Sequence, residues 1–205
     1  MGPAGPLSVR DTVSTDSPTP VPAPIISVFG SSRCKKQSQP YRLAQQLGAA
    51  LGQAGFRVAS GGYGGVMEAV SRGASEAGAK VIGVVYDANP AKANRWVQEK
   101  ILVPNWEERL MQLITLGNGY VACPGGTGTL VELAVAWEML NKGLLASKPL
   151  VALDEFWRPV VEQVQKAEQA GLGSATGEEL VYMAGSVPAA VEFLRNNLSP
   201  PPAPR

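Results

Sequence analysis

No histidine occurs anywhere in the 205 residues. That absence excludes Ser-His-Asp and Cys-His catalysis, histidine-ligated zinc and any histidine pH switch. Cysteine is nearly as scarce. Cys34 and Cys123 are too few for a disulfide framework and stand in no C-x-x-C motif. Cys123 lies in an apolar run, where a small buried hydrophobe is expected. A reducing, cytoplasmic location fits this cysteine usage. Charge is sparse as well: 17% of residues are charged and the net charge is +1, so nothing in the composition suggests a surface for nucleic acid, and none is expected as a partner. No apolar run approaches the roughly 18 residues of a membrane span. No ligand spacing calls for a metal, and no motif calls for a cofactor.

Met1 to Pro24 is rich in Pro, Ser and Thr and lacks the continuous apolar segment of a signal peptide. It is expected to be a disordered tail, because it cannot bury enough surface to offset its ordering entropy. Ser199 to Arg205, with four prolines, carries the same expectation. The folded unit is expected over residues 25–198, long enough for one domain with a real core.

Within it, short apolar runs alternate with helical patterns. "IISVF" from Ile25 ends in Gly30-Ser31-Ser32, and a helical period through Leu43, Leu47 and Leu51 stops at Gly55. "FRVAS" then runs into Gly61-Gly62-Tyr63-Gly64-Gly65, ahead of the helical "VMEAVSRGASEAG" and the strand-like "KVIGVV". After a looser stretch, Asn105 and Glu108 form a capping box at the start of a helix. Strand "YVAC", a glycine turn, an apolar helix, strand "PLVAL", a helix from Phe156 to Ala170, strand "ELVYM" and a helix capped by Ser186 complete the unit. This alternation predicts an α/β fold, doubly wound and Rossmann-like, with a mostly parallel sheet and helices on both faces.

Ligands of such sheets bind at the carboxyl ends of the strands. Three of those ends carry glycine or serine: Gly30-Ser31-Ser32, the turn containing Gly61 and Gly62, and Pro124 through Gly125, Gly126, Thr127, Gly128 and Thr129. Glycine turns ahead of helices expose backbone N–H groups to an anion, so the three together predict a phosphate site. No lysine follows the last turn, so it is no P-loop, and it sits too late in the chain for a dinucleotide fingerprint.

One carboxylate, Glu132, stands in the apolar helix after that turn. Thr129-x-x-Glu132 has the form of a capping box, which is one reading of the acid. The other is a desolvated carboxylate with a raised pKa or a cationic partner, both common at active sites. Arg109 on the preceding helix is the candidate cation, unless it merely pairs with Glu107 or Glu108 on a solvated face.

Pro124 to Glu132 matches P-G-G-x-G-T-x-x-E and resembles the signature of the LONELY GUY-type cytokinin riboside 5′-monophosphate phosphoribohydrolases, often mislabelled lysine decarboxylases. The resemblance extends to "VFGSS" from Val28, "SGGYGGVMEAVSRGASEAG" from Ser60, and "EERL" from Glu107. It implies that Arg109 and Glu132 are the catalytic pair. The substrate is then an AMP-like nucleotide, with its phosphate on Gly125 to Thr129 helped by Ser31-Ser32. It also implies a homodimer, for which the helix from Leu130 to Leu145 is the interface candidate. The base pocket is expected near Asp87 to Trp96 and the partner subunit. Two departures stand out. Leu110 occupies the place of the family's lysine, and the second turn reads Gly-Gly-Tyr-Gly-Gly. Carriers of the molybdenum cofactor share the fold, so a binding protein without chemistry is the rival expectation.

Overall fold

A computed structural model describes residues 22–86, 93–173 and 179–198. The tails expected at 1–24 and 199–205 fall outside this range except for 22–24, where the Pro24 carbonyl accepts a 2.9 Å bond from the Arg57 amide. The chain runs β1 (Ile25–Phe29), α1 (Gln39–Gln53), β2 (Arg57–Ser60), α2 (Val66–Glu76), β3 (Val81–Tyr86) and β4 (Glu99–Val103). It continues through α3 (Trp106–Leu116), β5 (Gly119–Ala122), α4 (Thr127–Asn141), β6 (Leu150–Leu153), α5 (Arg158–Gln169), β7 (Val181–Ala184) and α6 (Val187–Asn197).

All seven strands are parallel, in the order β4-β3-β2-β1-β5-β6-β7. The first half of the chain builds outward from β1 on one side, and β5 then returns to pair on the other side of β1. The winding direction therefore reverses between β1 and β5, which opens a crevice beyond their carboxyl ends. Gly30-Ser31-Ser32 follow β1 directly, and Pro124-Gly125-Gly126 follow β5 after Cys123.

β1 shows why both faces are covered. Ile26 and Val28 point into a cluster with Leu47 and Leu51 of α1, Val70 of α2 and Leu194 of α6. Ile25 and Phe29 point the other way, to Leu113 of α3, Leu133 of α4 and Val161 of α5. A strand buried on both faces reads as the continuous apolar run seen in the sequence. On one face α1 and α2 cross very closely. A Cβ on Gly48 would lie 2.1 Å from the Val70 carbonyl oxygen, and one on Gly73 would lie 2.0 Å from that of Gln45.

β4 is a strand where the sequence pattern suggests only a looser stretch. It pairs with β3 at the sheet edge, with Glu99, Lys100 and Leu102 partly or fully exposed. Edge strands tolerate such charges, which hides them among loop residues.

Candidate active site

The three turns are tied together through Ser31. Its amide donates to the Pro124 carbonyl at 3.4 Å, and its own carbonyl accepts from the Val66 amide at the start of α2 at 2.8 Å. Its hydroxyl accepts from the Arg33 amide at 3.1 Å. The turns after β1, β2 and β5 thus meet around one cavity of about 540 Å³. Gly30, Ser31, Ser32, Gly126, Thr127, Gly128, Thr129, Arg109 and Glu132 all line it.

Gly126 is the N-cap of α4, and no side chain caps the helix. Its carbonyl accepts the first helical bond, from the Leu130 amide at 3.0 Å. The first-turn N–H groups of an α-helix have no partner within the helix, and here they open onto the cavity. Added Cβ atoms on Gly126 and Gly128 would meet nothing within 4 Å. The fold does not need glycine at either position, and side chains there would occupy the space above the helix end.

Three of the expected site glycines support the cavity and do not line it. Gly61 lies beneath Arg109: an added Cβ would be 1.4 Å from Nη2. Gly62 holds φ at +71°, and its carbonyl accepts both the Asn94 amide at 2.7 Å and Asn94 Nδ2 at 3.1 Å. Gly125 packs behind Thr129, where a Cβ would be 2.2 Å from Oγ1.

The capping-box reading of Glu132 fails on geometry. α4 begins two residues before Thr129, so Thr129 is an interior helical residue and Glu132 lies in the second turn. Glu132 is partly buried on the cavity wall. Burial pushes its carboxyl up to about 7, against a weaker downward pull from Arg109.

The solvated-face reading of Arg109 fails too, for this side chain is only 8% exposed. Its Nε donates to the Val84 carbonyl at 3.0 Å and Nη2 lies 3.6 Å from Met67 Sδ. The Tyr63 and Tyr86 rings flank the guanidinium at 5.3 and 5.8 Å. Among the described residues, no carboxylate lies within ion-pair distance of Arg109, so it and Glu132 share a cavity without an ion pair. Asn105 does cap α3 as expected, accepting from the Glu108 amide at 2.8 Å.

Leu110 is buried in the core beside Leu113 and Ile114 and does not line the cavity. An apolar residue suits that position, and among the described residues the cations lining the cavity are Arg109 and Arg33. Tyr63, Met67, Tyr86 and Trp106 also line the cavity, and the sequence reading assigned none of them. Trp106 stands three residues before Arg109, which puts both on one face of α3 and was the available signal. Of the stretch expected to hold the base, residues 87–92 lie outside the described range. Asn94 braces the second turn, and Trp96 packs under Arg95 and Arg72. Burial pushes the Cys123 thiol up to about 12, as expected of an inert core group.

The model of the SLOG cluster4 family matches residues 23–181, which take in both winding halves of the sheet and the whole cavity. The chain belongs to that family. Among curated relatives, the cytokinin riboside 5′-monophosphate phosphoribohydrolase of Rhodococcoides fascians is 27% identical over 194 residues, 90% of this chain and 95% of that protein. The cytokinin riboside 5′-monophosphate phosphoribohydrolase LOG3 of Arabidopsis thaliana is 28% identical over 177 residues, covering 83% and 80%. The likeness to LONELY GUY-type proteins is thus borne out. The molybdenum cofactor carrier protein of Chlamydomonas reinhardtii superposes with a TM-score of 0.69 at 28% identity, over 86% of this chain and 98% of that one. The molybdenum cofactor binding protein of Rippkaea orientalis gives a TM-score of 0.69 at 25% identity with the same coverage. No helix among the described residues is long and apolar enough to cross a membrane.

Proposed function

We propose that this SLOG protein hydrolyses the N-glycosidic bond of a purine nucleoside 5′-monophosphate, giving free base and ribose 5-phosphate. The observation that carries the reading is Glu132: a carboxyl held at about 7 by burial, in the second turn of a helix it does not cap, facing the same cavity as Arg109. A group poised near neutral pH suits general base catalysis. The names of the relatives support the same chemistry.

In this reading the 5′-phosphate sits at the open N-terminus of α4, on the backbone of Gly126, Thr127, Gly128 and Thr129, with Ser31 and Ser32 opposite. The ribose then lies between Arg109 and Glu132. As the C1′–N bond breaks, its electron pair leaves with the base and positive charge develops on the ribose. Glu132 takes a proton from the water that adds to C1′, and the departing ring nitrogen acquires a proton from solvent. Arg109, anchored through Nε on Val84, presents its remaining N–H groups to the ribose or phosphate. The half-exposed apolar face of α4, with Val131, Val135 and Met139, is the surface through which the protein would dimerise. Stoichiometric release of adenine and ribose 5-phosphate from AMP tests the reading; AMP left intact would refute it.

The likeness to molybdenum cofactor carriers favours a second reading, a binding protein that holds a phosphate-bearing pterin in the same cavity. A carrier needs the α4 cradle but not the acidity of Glu132. Replacement of that residue therefore separates the two readings.

A further inference from the structure

Each of the four tryptophans but one has a task in the fold. Trp137 is 7% exposed in the core. Trp157 is buried and donates through Nε1 to the Cys123 carbonyl at 3.0 Å. Trp96 carries the guanidinium of Arg95 at 4.6 Å and that of Arg72 at 5.8 Å. Trp106 is 44% exposed at the first position of α3. Among the described residues no aromatic ring, cation or hydrogen-bond acceptor engages it. It lines the cavity, one helical turn ahead of Arg109.

The cavity lining holds two chemically distinct sets of groups. One is the backbone of the turns after β1 and β5, suited to an anion. The other is made of Tyr63, Met67, Tyr86 and Trp106. Tyr63 and Tyr86 are already committed: their rings stack at 6.2 Å, both flank Arg109, and the Tyr63 hydroxyl accepts from the Tyr86 amide at 2.9 Å. Among the described residues, Trp106 is the aromatic face of that set left without a partner.

We propose that Trp106 is the platform on which the planar heterocycle of the ligand stacks, so that it selects a ring-bearing phosphate over a sugar phosphate alone. The assignment rests on the nucleotide reading above and names the residue that recognises the base. Stacking of a base on an aromatic side chain is sequence-tolerant and strong enough to decide affinity. A helical position beside Arg109 would hold the ring next to the bond that breaks.

The test compares AMP with ribose 5-phosphate by titration calorimetry in the Glu132→Gln background, where turnover does not intrude. Trp106→Ala is expected to weaken AMP about tenfold or more while ribose 5-phosphate binds within twofold of the parent, and Trp106→Phe to keep most of the AMP affinity. AMP should also quench tryptophan fluorescence in the parent and much less in Trp106→Phe. Equal weakening of both ligands, or unchanged AMP affinity with only the oligomeric state altered, would overturn the assignment. AMP bound no better than ribose 5-phosphate by the parent would overturn it as well. Failure of the hydrolase reading looks different: AMP stays uncleaved by the wild type yet its affinity still depends on Trp106.

Discussion

The Nη2 atom of Arg109 lies 1.4 Å from the place a Cβ on Gly61 would take, so the guanidinium occupies space that only glycine at position 61 leaves open. The second glycine turn therefore serves the site by making room for a buried arginine. This is a different task from that of the turn after β5, which opens its own backbone to the cavity.

Gly61→Ala is expected to displace Arg109 while sparing the fold, because the clash falls on the far ends of the Arg109 and Met67 side chains. A displacement of about 1 Å at a positioned group can cost about 100-fold. The expected result is a loss of that order in kcat/KM for nucleotide hydrolysis with an unchanged far-UV spectrum. Near-wild-type activity would remove Arg109 from the reaction.

Gly128→Ala should move stability and binding in opposite directions. Gly128 is the second residue of α4, does not hold a positive φ, and has open space where a Cβ would go. Alanine in a helix is about 0.5–1 kcal/mol better than glycine, so the melting temperature should rise slightly. The added methyl should nonetheless weaken ribose 5-phosphate at least tenfold, measured by calorimetry. Unchanged affinity would place the phosphate elsewhere.

Glu132 gives a pH signature in stability as well as activity. Its folded-state pKa is raised from 4.5 to about 7, so the native state holds the proton more tightly than the unfolded chain. The resulting stabilisation is complete below about pH 4.5 and is lost as pH climbs through about 7. Urea unfolding of the wild type should show this decline, of the order of 1–3 kcal/mol, and Glu132→Gln should flatten it. As a general base, Glu132 must be ionised, so kcat/KM should fall below about pH 7.

Gly48→Ala tests the frame. The new methyl would press on the Val70 carbonyl oxygen at 2.1 Å, and backbone cannot rotate away as a side chain can. A loss of about 1–3 kcal/mol is expected in chemical denaturation. An unchanged midpoint would contradict the close crossing of α1 and α2.

The fold was legible because its signals are local. Continuous apolar runs such as β1 and β5 follow from burial on both faces, and the turns after them carry the residues that a switch-point crevice requires. β4 was hidden, since an edge strand with Glu99 and Lys100 has no apolar continuity. Thr129 read as a cap because Thr-x-x-Glu is a local pattern, whereas the true start of α4 depends on how Gly125 and Gly126 leave the sheet. Of the aromatic lining, only Trp106 carries a one-dimensional signal, its spacing from Arg109, and the gathering of the set depends on the fold. Tyr63, Tyr86 and Trp106 come from three separate segments that meet only when β3 lies beside β2 and α3 packs beneath them.

The most direct test of the account is release of free adenine from AMP by the wild type and by Glu132→Gln, with ribose 5-phosphate affinity measured on both proteins. The account predicts adenine from the wild type, at least a thousandfold less from the variant, and sugar-phosphate binding retained by both. No adenine from either protein, with equal binding, would contradict it and leave a carrier of phosphate-bearing ligands.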